Sequence, residues 1–597
     1  MAETKDTPKE EKNETVEPRN EVVKDDVQEP AEDAKPAVDA AVDEGKKPKK
    51  SLKEFFKTKK GKITLASAVG VILIVIALFA VPLTRYAILG GFIRKDVSLN
   101  VIDSKTGKPV SDAEVSVPGT TGRTDKDGKA TLSQVAVGQY KLTIKKKYHK
   151  DTSVDVTVPI LSAANAGQQK LEATGRQVPV SVKNKLSGGI LSKVTITAGE
   201  STAITDDKGE AVLVMPADVS TVKASLKAEG YNELAAEITV TEQKDDKNTF
   251  AMTSAGKVYF LSKRTGKINV MKSDLDGTNQ QVVVQATGKE SESGTVLLAS
   301  RDWKYLLLHA RRDSDQPKLY LINTATDQMT VVDEGNASFS LVGWYNHTFV
   351  YRVDRDAVKN WQPKKYALKS FDAEANKLLT LDESAGEGSS DLDFRQEFIT
   401  QIYILDLEGK VVYTKNWNGH TGGTSKQSSV VSVQPNGANK KTLKAFDLGT
   451  YVTDGVLYEV GEIYYRTYQG NANRYYEYED GAIKENTSIK NEDFSQFYPT
   501  WLLSPSSEKT FWYEPRDGKN TLLVGDKNGT EGKEVAKLSD YIPYGWFSDD
   551  YLLVSKGGSE LYIVSTQNPD FTKAYKLTDY HKSNIQFNGY GGGYGGF

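Results

Sequence analysis

Beyond Asp96 the chain is written in short runs in which apolar and polar residues alternate, as in Val115/Val117 and Val194/Ile196, separated by Gly, Asp, Asn and Pro. A period of two puts alternate side chains on one face, so these runs predict half-buried strands and a mainly β fold. A different pattern stands before them. Residues 63–84, ITLASAVGVILIVIALFAVPLT, carry no charge over 22 positions, and at about 1.5 Å per residue they give roughly 33 Å of helix against a hydrocarbon core of about 30 Å. This predicts one transmembrane helix. Nine lysines lie in 46–62, whereas only Arg85, Arg94 and Lys95 follow closely, which predicts a single-pass cell-membrane anchor with a cytoplasmic N-terminus and the bulk of the chain extracytoplasmic. A cleaved signal peptide fits less well, because the charged leader is long and Leu78 stands where a small residue is needed.

The strand-rich part contains a repeat. SLNVIDSKTGKPVSDAEVSVPGTTGRTDKDGKATL aligns without gaps on PVSVKNKLSGGILSKVTITAGESTAITDDKGEAVL at an offset of 81, pairing Thr124 and Asp125 with Thr205 and Asp206, and Gly128 with Gly209. Two copies of one β-sandwich are expected, over 96–174 and 175–246. The shared T-D-x-x-G-x-x-x-L, followed in the first copy by Gly138-Gln-Tyr140, resembles the carboxypeptidase-regulatory-like and PEGA group of small β-sandwiches. The aspartates are expected to bond the backbone of their own turns, with Gly128 and Gly209 in the left-handed conformation; a calcium loop would need further oxygen ligands and a terminal Glu.

From about 250 a looser unit of 40 to 55 residues recurs, a period that marks propeller blades. Its clearest phrase is a strand–turn–strand hairpin, as in INVMKSDLDGTNQQVVV, LYLINTATDQMTVV and LYIVSTQNPDFTKAYKL. Counting these phrases predicts a propeller of about seven blades over 250–588. SDLDGTN at 273–279 and the S-x-D-x-K-x-L run from Ser300 to Leu306 resemble TolB-like propellers. The whole resembles bacterial membrane-anchored proteins with a PEGA-like stalk and a TolB-like head.

Composition adds the ends of the chain. Residues 1–45 hold six basic and fifteen acidic groups and no aromatic residue, so 1–62 is expected to be a disordered cytoplasmic tail ending in a Lys-rich juxtamembrane block. The Gly/Tyr-rich end, 589–597, either stays free or docks its aromatics on a neighbouring surface. The net charge of -3 leaves a nearly neutral remainder after Lys62, unlike a nucleic-acid binder.

Chemistry is sparse. Cys 0 removes disulfides, thiolate metal sites and cysteine nucleophiles, and no two of the five histidines fall within a helical turn. No G-x-S-x-G elbow, Walker A loop or strand–GxGxxG–helix unit is present. Ser300-Arg-Asp302-Trp-Lys304 misses the glycine of an aspartate box and is read as a blade turn, and Asp391, Asp393 and Glu397 as a solvated face. The eight tyrosines of 451–478 are read as blade packing in preference to a ligand face, and Trp361, Trp417, Trp501 and Trp546 as core or inter-blade wedges. No enzyme activity, cofactor or metal is expected.

The expected function is therefore binding: a propeller recognising an extracellular protein or glycan, with a non-catalytic envelope scaffold or a carboxylate-based envelope hydrolase or lyase as alternatives. Recognition is placed on rim loops, since blade strands must pack. The candidates are His420, Thr421, Thr424 and Lys426 in WNGHTGGTSKQSSV, and Asn471, Asn473 and Arg474 in YQGNANRYYEY; the competing reading makes both plain connections.

Overall fold

The computed structural model describes residues 59–216, 219–243, 246–419, 426–459, 462–490, 502–516, 519–537, 541–557 and 559–579. The expected tail up to residue 58 and the Gly/Tyr-rich end lie outside these.

The run 63–84 does not form one element. A helix covers Lys59–Ala80 and a second covers Pro82–Leu89. Proline lacks the backbone N–H that a continuing helix would use but suits the first position of a new one, so the break falls at Pro82. The first helix spends its opening turn on Lys59, Lys60, Gly61 and Lys62, and the uncharged remainder to Ala80 reaches only about 27 Å. Among the described residues no helix is long and apolar enough to cross a membrane. The expected transmembrane helix is thus corrected, and with it the expected localisation, a single-pass cell-membrane anchor with most of the chain extracytoplasmic.

The rest of the chain is mainly β. In the first sandwich one sheet holds Lys129–Ala136, Arg94–Asp103, Ala164–Ala173 and His149–Lys150, and the other holds Thr120–Arg123, Glu114–Val117, Gly138–Lys145 and Thr152–Val158. Val97, Leu99 and Val101 alternate into a core with Val115, Leu132, Leu142 and Ile144, on which Tyr86 and Leu89 of the second helix also pack. The second sandwich repeats the plan, and in each copy the first long strand takes a late strand in parallel: Arg94–Asp103 with Ala164–Ala173, and Arg176–Asn184 with Thr249–Met252.

The repeat extends to single hydrogen bonds. Thr124 Oγ1 donates to the Val110 carbonyl at 2.7 Å and accepts from Ala113 N at 2.8 Å; Thr205 Oγ1 donates to Leu191 O at 2.8 Å and accepts from Val194 N at 2.9 Å. Asp125 Oδ1 accepts from Asp127 N and Lys129 N, and Asp206 Oδ1 from Lys208 N and Glu210 N. Gly128 and Gly209 have φ of 72° and 70°, and a Cβ at Gly128 would sit 2.4 Å from the Val101 carbonyl, so both conformation and space require glycine there.

Among the described residues seven antiparallel sheets follow, blades 1 to 7, over 258–284, 296–333, 337–383, 386–445, 451–485, 502–537 and 541–578. Neighbouring residues of the second strands point to opposite sides. Leu306 and Leu308 of blade 2 enter a core with Val258 and Phe260 of blade 1 and Leu553 and Leu561 of blade 7, while Leu307 packs with Phe349 and Tyr351 of blade 3. Val350 then meets Ile404 and Val411 of blade 4, and Tyr403, Tyr465, Phe511 and Leu552 join blades 4 to 7. Blade 1 touching both blade 2 and blade 7 closes the ring, which makes the array a β-propeller.

Polar contacts fix the domains to one another. Lys146 Nζ donates to Thr202 O at 2.7 Å and to Ser111 O across the two sandwiches, and burial pulls its pKa down to about 8. Tyr551 of blade 7 bonds Asn184 Nδ2 at 2.9 Å and Ser254 Oγ at 2.6 Å, and Lys185 pairs with Asp276 of blade 1 at 2.7 Å.

Candidate functional site

In blades 2 to 7, counting four main strands in each, the up-and-down order puts the turns between first and second strands on one face of the ring, here the lower. The turns between second and third strands, and the connections between blades, lie on the upper face. Blade 4 adds a fifth strand, Gly386–Ser390, paired with the start of Asp393–Leu405.

Lys426 of the blade 4 candidate, and Asn471 with the adjoining strand residues Asn473 and Arg474 of the blade 5 candidate, stand at second-to-third turns and so at the upper face. In blade 4, His420, Thr421 and Thr424 lie outside the described residues. Lys426 is described, and it is engaged: its Nζ pairs with Glu387 at 3.1 Å and lies 6.0 Å from the centre of the Trp417 ring. In blade 5 the hairpin joining Glu462–Gln469 to Ala472–Glu479 turns at Gly470 and Asn471. Asn471 takes a φ of 72° and accepts a hydrogen bond from the Tyr468 hydroxyl at 2.7 Å. Asn473 and Arg474 are exposed. Gln469 Nε2 donates to Leu448 O at 3.3 Å, tying this hairpin to the connection that enters blade 5. Leu448 and Tyr468 are 56% and 44% exposed. The structure therefore gathers Leu448, Tyr468, Asn471 and Asn473 into one strip, with Lys426 on the neighbouring blade; Arg474, paired with Thr467, alternates to the other face of the hairpin and bonds Tyr476.

The other residues singled out in sequence mostly pack. Tyr465, Tyr475, Tyr476 and Tyr478 are buried, as are Trp417 and Trp546. Glu397 is not on a solvated face: it is buried, accepts from Ala385 N at 2.9 Å and pairs with Lys415 at 3.0 Å. Lys415 also reaches Asp382 at 3.3 Å, which pairs with Lys440 at 2.6 Å and accepts from the Tyr413 hydroxyl at 2.6 Å. Burial raises the Asp382 pKa, but these lysines and the tyrosine outweigh it and leave it lowered. Held by two lysines, the Asp382 carboxylate is a poor proton donor.

Sequence reading missed a constellation on the lower face. Arg301, in the first turn of blade 2, sends Nη2 to Asp406 Oδ2 in the first turn of blade 4 at 2.5 Å and Nη1 to Ser507 Oγ in the first turn of blade 6 at 3.2 Å. Beside it Asp302 accepts from His347 Nε2 of blade 3 at 2.8 Å, and His347 Nδ1 lies 3.3 Å from Glu374. The only sequence signal was the SRDWK turn itself, because the partners lie in unremarkable turns far along the chain. Among the described residues no cluster of His, Asp and Glu could hold a metal ion.

No family model and no curated protein matches the chain. Solved structures similar to it include TolB from Acinetobacter baumannii, 11% identical over 52% of this chain and 74% of that one with a TM-score of 0.23. The β-propeller domain of the Trilobed protease from Pyrococcus furiosus is 14% identical over 55% and 94%, with a TM-score of 0.29. An oligogalacturonate lyase in complex with manganese is 14% identical over 51% and 86%, with a TM-score of 0.26. The propeller assignment rests on the seven sheets and their shared cores.

Proposed function

We propose that this chain is a non-catalytic binding protein that engages a protein or glycan through the upper face of propeller blades 4 and 5. One observation carries the reading: the Gln469–Leu448 hydrogen bond ties the exposed Leu448 to the hairpin on which the exposed Tyr468 bonds Asn471 and stands opposite Asn473. An aromatic ring with low rotamer entropy, flanked by amides, is suited to stacking on a sugar face or anchoring a peptide. The seams support it: Lys146 joins the two sandwiches, and Tyr551 fixes the propeller against the second of them.

The test is a panel of polysaccharides and peptides offered to the full chain, with released products assayed in parallel. Saturable binding without turnover, weakened at least tenfold by Tyr468→Ala with Asn473→Ala, is the expected result. Turnover, or binding indifferent to both substitutions, contradicts it.

A further inference from the structure

Arg352 sits in the second strand of blade 3, Thr348–Arg355. Alternation sends Phe349, Tyr351 and Val353 into the core shared with blade 2, which turns Val350, Arg352 and Asp354 toward blade 4. There Arg352 Nη1 donates to Ile399 O at 2.9 Å and Nη2 to Ser340 Oγ at 3.1 Å. The guanidinium lies 5.5 Å from the centre of the Tyr366 ring, which packs on Phe398 at 5.2 Å. Ser340 falls in the earlier part of its strand and Tyr366 at the start of its own, so the cluster occupies the upper half of the blade. Arg352, Ser340 and Phe398 are partly exposed.

The arrangement lacks a counter-charge. Taking a guanidinium out of water costs several kcal/mol unless an anion accompanies it, and other partly buried arginines of the propeller obey this: Arg301 has Asp406 at 2.5 Å, Arg312 has Glu290 at 2.8 Å, Arg355 has Glu383 at 3.0 Å and Arg466 has Asp454 at 2.6 Å. Arg352 makes no ion pair among the described residues; its two acceptors are neutral, and its buried Nε has none. The acid two positions along the same face, Asp354, pairs with Lys365 at 2.9 Å. The Tyr366 hydroxyl, pushed up to about 12 by burial and by the Asp354 charge, stays protonated at neutral pH and is available as a donor.

We propose that Arg352 anchors an oxyanion site between blades 3 and 4, with Ser340, Tyr366 and Phe398 around it, taking a carboxylate or phosphate group. A planar fork fixed by a backbone carbonyl and an aromatic ring is pre-organised for such a group. This deepens the binding reading above, on which it rests, by naming an acidic group on the ligand.

The test titrates the full chain with sodium acetate and, separately, sodium phosphate at constant ionic strength, reading the arginine Nε–Hε resonances and the melting temperature. A saturable response to either anion that moves the Arg352 resonance is expected, and the anion that produces it identifies the group as carboxylate or phosphate. Arg352→Gln should weaken it at least tenfold, and Arg352→Lys, which keeps the charge without the fork and guards against a misfolded glutamine variant, by a smaller factor. Equal affinity in the glutamine variant, or no saturable response to either anion, overturns the proposal. Tyr468→Ala should leave the response unchanged, so failure of this site and failure of the blade 5 strip are read separately.

Discussion

Arg301 and Asp406 stand 105 positions apart in the chain and on different blades, yet the Arg301 Nη2 lies 2.5 Å from the Asp406 Oδ2. With Ser507 on the other guanidinium nitrogen, one side chain of blade 2 joins blades 4 and 6 at the lower face. Burial pushes the Asp406 carboxyl up to about 7 against the pull of Arg301. A carboxyl whose folded pKa exceeds its unfolded value of about 3.9 contributes fully below that lower value and loses its contribution as pH rises through about 7. Asp406→Asn should therefore gain on the wild type by up to about 4 kcal/mol between pH 4 and pH 8, measured by urea unfolding at both. A difference constant with pH would show that Asp406 does not titrate there.

Arg301→Ala tests the same contact from the other side. It leaves a buried carboxylate without its cation, a loss of about 3 kcal/mol at pH 8, and a smaller one at pH 5.5, where Asp406 is protonated. Equal losses at the two pH values would contradict this.

The His347 link depends on pH in the same direction as Asp406. Burial disfavours its protonation, but the bonds to Asp302 and Glu374 outweigh that and raise its pKa. Its contribution is complete below about 6.5 and disappears as pH rises through the higher folded value. His347→Asn should cost about 1 kcal/mol at pH 6, a modest figure because the partners remain in contact with water, and less at pH 8.5, as thermal unfolding would show.

Thr124→Val and Thr205→Val each remove two backbone hydrogen bonds at matching places in the two sandwiches. Each should cost about 1–3 kcal/mol, and hydrogen exchange under mild denaturant should locate each loss in its own sandwich. Markedly unequal costs would mean that the copies share a sequence pattern without sharing its energetics.

That pattern was legible because the threonine, aspartate and glycine act within a few residues of one another. The outer hairpins were legible for the same reason: SDLDGTN is a turn by its own chemistry, with Asp274 N bonded to Thr278 O and Gly277 at a φ of 80°. The hydropathy of 63–84 misled because it sums side chains and ignores what Pro82 does to the backbone. Long-range partners were invisible. Nothing near Arg301 announces Asp406, nothing in SSDLDFRQEF tells that Glu397 turns inward to Lys415 while Asp391 stays exposed, and the strip at Leu448 and Tyr468 depends on a bond between two loops of blade 5.

The most direct test of the central claim is hydrogen exchange of the full chain with and without the first polysaccharide or peptide that binds it saturably. The account predicts protection concentrated at 447–450 and 468–474 on the upper face. Protection confined to the lower face around Arg301, or to the sandwiches, would contradict it.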